Sequence, residues 1–228
     1  MSTSARTSRQ ATSIPFSEAQ QRFACLGEAN FLIVHFDSSD PVTLYEGDVE
    51  ITGDVDGWEL ELGDAQDAAL IVVDGDLTIH GTLSWDTERP LGWLVVTGDL
   101  AVDSAWLKYR SNVLVQGNLT ARDGVFGQNG DDDGSLFVLG RAQARYLVNC
   151  SYFYMHLLGE CSAVIVTDDR NSNSDAAGRG ATVVDERERE LLVPDVVGPR
   201  GFNIQRAYEL VSAGADIVIP EVLRRQAR

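Results

Sequence analysis

Six segments of the chain align on a single glycine. They are VTLYEGDVEIT around Gly47, LIVVDGDLTIH around Gly75, WLVVTGDLAVD around Gly98, NVLVQGNLTAR around Gly117, SLFVLGRAQAR around Gly140 and YMHLLGECSAV around Gly159. Successive glycines are 28, 23, 19, 23 and 19 residues apart. Helical repeats need periods of about 33 residues or more, and they keep them regular. A short and uneven period instead predicts β-solenoid coils whose connecting loops differ in length.

Offsets from the glycine turn this alignment into geometry. Two residues before it stand Tyr45, Val73, Val96, Val115, Val138 and Leu157, and two after it Val49, Leu77, Leu100, Leu119, Ala142 and Cys161. Four after it come Ile51, Ile79, Val102, Ala121, Ala144 and Ala163. By the two-residue alternation of strands these positions share one face, and stacking makes each column a ladder with rungs about 4.8 Å apart. One after the glycine stand Asp48, Asp76, Asp99, Asn118, Arg141 and Glu160, a polar column expected to point outward. The glycine marks a bend or a close approach of stacked coils.

One column breaks the alternation. Three before the glycine stand Leu44, Val72, Val95, Leu114, Phe137 and His156, apolar neighbours of apolar neighbours. A strand apolar on both faces needs cover on both, so a flanking segment or a partner must lie there. A further patch (Leu83, Trp106, Val125 and Leu147, seven or eight residues past the glycines) predicts a second strand in each coil.

The flanks suggest caps. Ser17 to Gln20 has the S-x-x-Q capping-box form, with Gly27 as a helix end, and Phe31 to Phe36 (FLIVHF) predicts a buried strand. Asn203 is placed to cap a helix over Ile204 to Ala213 that stops at Gly214, and Asp168 to Glu190 predicts an exposed, mobile connection. The expectation is an all-β fold, a right-handed parallel β-helix of about six coils with short flanking helices. Residues 1–13 are expected as a disordered tail, 14–40 as an N-terminal cap, 41–168 as the solenoid, and 169–228 as a linker and helical flank.

Charge narrows the partners. The 228 residues carry 35 Asp and Glu against 18 Lys and Arg, a net charge of -17, with Lys108 the one lysine. Such a field repels nucleic acid and anionic lipid and favours a basic partner. The longest apolar runs are a few residues, which predicts no membrane-spanning helix. Cys25, Cys150 and Cys161 are an odd number with no close pair, which predicts free, buried thiols and a cytoplasmic setting.

Candidate chemistry is sparse. Asn129 to Gly134 opens like a calcium loop, but the twelfth position is Gly140 rather than the required glutamate. Cys150, His156 and Cys161 match no zinc spacing, and no nucleophile-elbow, metalloprotease or phosphate-loop motif occurs. His35 lies in an apolar run and reads as a core histidine. No catalytic residue, metal or cofactor is therefore expected.

The G-D-L triplets at Gly75-Asp76-Leu77 and Gly98-Asp99-Leu100, with Gly117-Asn118-Leu119, resemble the coils of bacterial bactofilin-like, polymer-forming β-solenoid proteins. A subset of those, associated with polymorphic toxins, adds a C-terminal segment similar to Leu191-Leu192-Val193-Pro194 and the helix that follows. The resemblance implies a non-enzymatic protein that holds a partner, most concretely an immunity protein occluding a basic toxin domain. Asp48, Asp76 and Asp99, with Asp131, Asp132 and Asp133 at a loop tip, are the expected partner-binding residues. A self-associating scaffold and a carbohydrate-active β-helix enzyme are the alternatives.

Overall fold

The computed structural model describes residues 6–7, 10–28, 36–60, 70–128, 134–151, 153–167, 179–185, 187–199 and 201–226. The chain is a parallel β-solenoid whose coils are three-sided. On the first side, ahead of each glycine, lie β3 (Pro41–Glu46), β6 (Leu70–Asp74), the ends of β7 (Leu77–Val96) and β8 (Leu100–Val115), β10 (Ser135–Val138) and β12 (Tyr154–Leu157). They pair in parallel in that order, with Leu44↔Val72, Val72↔Val95, Val95↔Leu114, Leu114↔Phe137 and Phe137↔His156 as one rung series.

The second side begins two residues past the glycine. It joins β4 (Val49–Thr52), the starts of β7 and β8, and the starts of β9 (Leu119–Gln128), β11 (Ala142–Cys150) and β13 (Cys161–Thr167). The chain then bends at register shifts and runs along a third side, which also takes in β5 (Val55–Asp56) and, at the far end, β14 (Thr182–Asp185). The first two ladders each run through six strands, yet only about four turns have a coil on both sides. The first coil is flanked by two antiparallel strands from the N-terminus, and the last coil gains one more parallel strand on its third side.

The columns expected to face inward form one buried core, running from Tyr45 and Val49 through Leu77, Leu100 and Leu119 to Cys161 and Ile165. The glycines are where coils come closest. A Cβ on Gly117 would sit 2.5 Å from the Gly98 carbonyl oxygen, and one on Gly140 would sit 2.4 Å from that of Gly117. No residue larger than glycine fits that spacing.

Four details differ from the sequence reading. The third side is real, and it moves Trp106 out of the expected column. Leu83 pairs with Ala105, Ala105 with Val125 and Leu147 with Val125, so Trp106 faces outward. The tail expected over residues 1–13 instead contributes β1 (Arg6–Thr7), antiparallel to β4, and with Pro15 forms β2 (Ala11–Pro15), antiparallel to β3. These strands occupy backbone groups that the first coil would otherwise expose. Within the expected mobile connection, Thr182–Asp185 is β14 and extends the third side by one rung. Finally, α1 (Phe16–Arg22) starts after Pro15 rather than at a Ser17 cap. Its first amides donate to the Asp40 and Ser38 carbonyls, at 2.8 and 3.0 Å, so the capping box is not used. Of the FLIVHF segment, Phe36 is buried and residues 31–35 lie outside the described residues.

Two flanks cover two of the three sides. The apolar column on the outside of the first side is covered from the N-terminus. Phe16, Ala19 and Phe23, with Cys25 and Leu26 of α2 (Ala24–Glu28), pack on Leu44, Val72, Val95 and Leu114. The outside of the third side is covered by α3 (Ile204–Ser212) and α4 (Pro220–Gln226), which bury Trp106, Phe126, Tyr146, Val164 and Val184. Asn203 caps α3 as its sequence predicts, its side chain accepting from the Arg206 amide at 3.0 Å, and Gly214 ends the turn at φ 82°. No helix among the described residues is long and apolar enough to cross a membrane.

Candidate functional site

Among the described residues the second side has no such cover, and its outward side chains are an exposed polar surface of the solenoid. Along the corner beside the glycines stand Asp48, Asp76, Asp99, Asn118, Arg141 and Glu160, all exposed. Three of the sequence-predicted partner-binding residues thus lie in one column. Asp131, Asp132 and Asp133 lie outside the described residues.

That column has a structural task of its own. Oδ1 of Asp48 accepts the Asp76 amide at 3.0 Å, Oδ1 of Asp76 accepts the Asp99 amide at 2.7 Å, and Oδ1 of Asp99 accepts the Asn118 amide at 2.7 Å. Asn118 continues the series by accepting the Arg141 amide at 2.9 Å. Each side chain clamps the next coil through an N–H that points away from both ladders. The carboxylate lies close to the next glycine, where a Cβ on Gly98 would fall 2.1 Å from Asp76 Oδ1. The repeated G-D dipeptide is therefore one device, a glycine that makes room and an aspartate that ties. The tie needs one acceptor oxygen and no charge, because Asn118 serves as well as aspartate.

The charge is thus free to do something else. In the first three coils the second side adds Glu50, Asp54 and Asp103 to the column, residues that sequence reasoning did not single out. Alternation from the glycine would have placed Glu50 on this face beside Asp48. Glu50 pairs with His80 at 2.7 Å, and Asp54 accepts the Thr82 amide at 2.8 Å. Farther along, cations balance the acids. Arg122 reaches Asp103 at 2.9 Å and Asp123 at 3.1 Å, and Arg141 reaches Glu160 at 2.8 Å. The outward acids of the first three coils outnumber their cations, whereas Arg122 and Arg141 stand among the acids of the later coils. Between the later coils, Asp99, Asn118, Thr120, Arg141, Gln143 and Glu160 line an open groove of about 560 Å³. Its walls offer both donors and acceptors.

The remaining titratable groups do not converge. Cys161 is in the solenoid core, where burial pushes its thiol up to about 11, while Cys150 is under the C-terminal flank and His156 is on the outside of the first side. Among the described residues no group of three or more His, Cys, Asp or Glu is arranged to hold a metal ion. Tyr146 donates to Asp216 at 2.6 Å, and Arg145 holds the same carboxylate at 2.8 Å. Burial, followed by that hydrogen bond, holds the Tyr146 phenol far above its ordinary range. This cluster fastens the C-terminal flank to the solenoid. Comparisons with protein families, with curated proteins and with solved structures found no match.

Proposed function

We propose that the chain is a non-enzymatic binding protein whose uncovered acidic side holds a basic protein partner. The observation that carries this reading is the distribution of cover. The first and third sides of the solenoid are occupied by the chain's own flanks, and the second presents Asp48, Glu50, Asp76 and Asp99 to solvent. Such a face speeds encounter with a cationic surface and fixes its register more than it adds raw affinity. An immunity protein that occludes the basic surface of a toxin domain is the most concrete version, and it rests on the resemblance of the G-D-L coils together with the C-terminal segment that begins at Leu191-Leu192-Val193-Pro194. The antiparallel β1 and β2 on the first coil favour a binder over an end-to-end polymer, because they interrupt the parallel stacking of two of its three ladders at that end.

The clamp chemistry supplies a clean test. Replacing Asp48, Asp76 and Asp99 together by Asn keeps the one acceptor oxygen that each backbone tie uses and removes three charges. The variant is expected to melt like the wild type, whereas Asp76→Ala costs about 1 kcal/mol through the lost tie. In a pull-down from the native host, the wild type captures a basic protein. The association rate with that protein falls steeply between low and physiological salt, and the triple variant flattens the dependence. An acidic partner, or a rate indifferent to salt, would refute the reading. The same Asp→Asn exchange at Asp131, Asp132 and Asp133 tests the loop tip separately.

A further inference from the structure

Among the described residues four large apolar side chains stand exposed, and three of them share one spot. Leu139 (40% exposed), Tyr154 (39%) and Leu158 (57%) lie on the outside of the first side, in its last two coils. Half-buried Phe137 and partly exposed His156 join them, their rings stacked at 4.3 Å and 6°. The register explains the cluster. Leu139 and Leu158 continue the column of Glu46 and Asp74, Phe137 and His156 continue that of Leu44 and Val95, and Tyr154 stands opposite Ser135. In the earlier coils the Leu44–Val95 column is buried beneath α1 and α2. Past Leu114 the helices end and the apolar surface does not.

We infer that this patch is the seat of an amphipathic helix, cationic on its outer face, contributed by the basic partner and laid in line with α1. This deepens the reading given above and rests on it. Three observations select that occupant. The surface is continuous with one that already receives a helix through Phe16, Ala19 and Phe23, so its columns accept apolar residues at i, i+3 and i+7. Burial holds the His156 imidazole below its ordinary range, which leaves the patch uncharged at neutral pH. A second copy of the chain would bring another charge of -17 to the contact, whereas a cationic helix is attracted by the net negative charge of the molecule. At the corner the patch borders the groove lined by Arg141 and Glu160, so one partner could engage the seat and the acidic side together.

The test uses the full chain and a labelled peptide of roughly 18 residues, five helical turns, built from Leu and Lys with leucines at helical spacing. A scrambled isomer has the same charge and no apolar face. Fluorescence anisotropy at physiological salt is expected to show the amphipathic peptide binding at least about tenfold tighter than its isomer. The double variant Leu139→Ser with Leu158→Ser should weaken the amphipathic peptide by about tenfold or more and leave the isomer unchanged. Leu158→Lys, at a position more than half exposed, should weaken it further by adding a like charge. Melting curves matching the wild type establish that both variants are folded. Equal binding of the two peptides, or wild-type affinity in both leucine variants, would overturn the proposal. So would a wild type that sediments as a dimer while the double variant sediments as a monomer, since the occupant would then be a second copy. The Asp48, Asp76 and Asp99 to Asn variant separates the two levels. If it weakens the peptides and the leucine variants do not, the acidic side stands and the helix seat falls.

Discussion

At the scale of single residues, the fold turns on the glycine and the aspartate that follows it. Gly98→Ala would place a methyl 2.1 Å from Asp76 Oδ1 and 2.7 Å from the Gly75 backbone, with coils above and below that cannot part. We expect a loss of roughly 1–3 kcal/mol, the usual cost of overpacking, measured by urea unfolding. Gly198→Ala, whose new methyl would meet nothing closer than 3.5 Å, is the control and should unfold near wild type. Cys161 makes a second residue-level prediction. Its thiol is raised from an ordinary 9 to about 11 by burial, so between those values the unfolded chain gives up a proton that the folded chain keeps. Stability contributed by the neutral thiol is therefore intact below pH 9 and falls as pH rises toward 11, by at most about 1.4 kcal/mol per pH unit. Tyr45 and Tyr146, both raised chiefly by burial, fall in the same direction at higher pH. Urea midpoints of the wild type and Cys161→Ala should converge from pH 8 to pH 11. A gap that stays constant would show that Cys161 is not the group being titrated.

At the scale of elements, each flank has one side to cover, and cutting one should leave the other in place. A chain ending at Phe202 loses α3 and α4 and so uncovers Trp106, whose ring lies 4.9 Å from that of Tyr208. Its emission should shift to the red and a hydrophobic dye should bind, while Val72, Val95 and Leu114 stay buried under α1 and α2. Unchanged emission would mean that the third side does not need its cover. The two flanks also show what could be read from the sequence. The apolar column from Leu44 to Leu114 announces in its alternation that something must cover it. It does not announce which end of the chain does so, because a helix of seven residues and one of nine are equally plausible covers until their places are known. The glycine-centred ladders were legible because stacking repeats the same environment in every coil. The third side was not, since two residues per rung at β5 and register shifts elsewhere blur its period. Trp106 was misplaced for that reason. The ties made by Asp48, Asp76 and Asp99 were legible only as an outward polar column. Their acceptor role depends on the corner geometry, which no spacing encodes.

At the scale of the whole molecule, a charge of -17 on one stack of coils sets a balance between shape and repulsion. The ion pairs that oppose it lie at the surface, as between Arg22 and Glu46 at 2.8 Å or Arg187 and Asp185 at 2.8 Å, and exposed pairs contribute little. The unpaired excess of acid therefore dominates the electrostatic part of stability, and it acts against the folded state. Unfolding moves those charges apart, so anything that shortens the field should favour the coiled chain. The screening length is about 30 Å at 0.01 M salt, comparable with the roughly 29 Å expected for six stacked rungs, and about 3 Å at 1 M. At the first value nearly every acid feels every other, and at the second only neighbours along a column do. Melting temperature should therefore rise as sodium chloride increases from 0.01 M to 1 M, with most of the gain below physiological strength. The variant with Asn at positions 48, 76 and 99 should start higher at low salt and rise less, because it keeps the ties between coils and carries less of the repulsion. A melting temperature that falls with salt would mean that the surface ion pairs, and not the net charge, govern stability. The acidic side would then be held together by its own cations instead of being kept open for those of a partner.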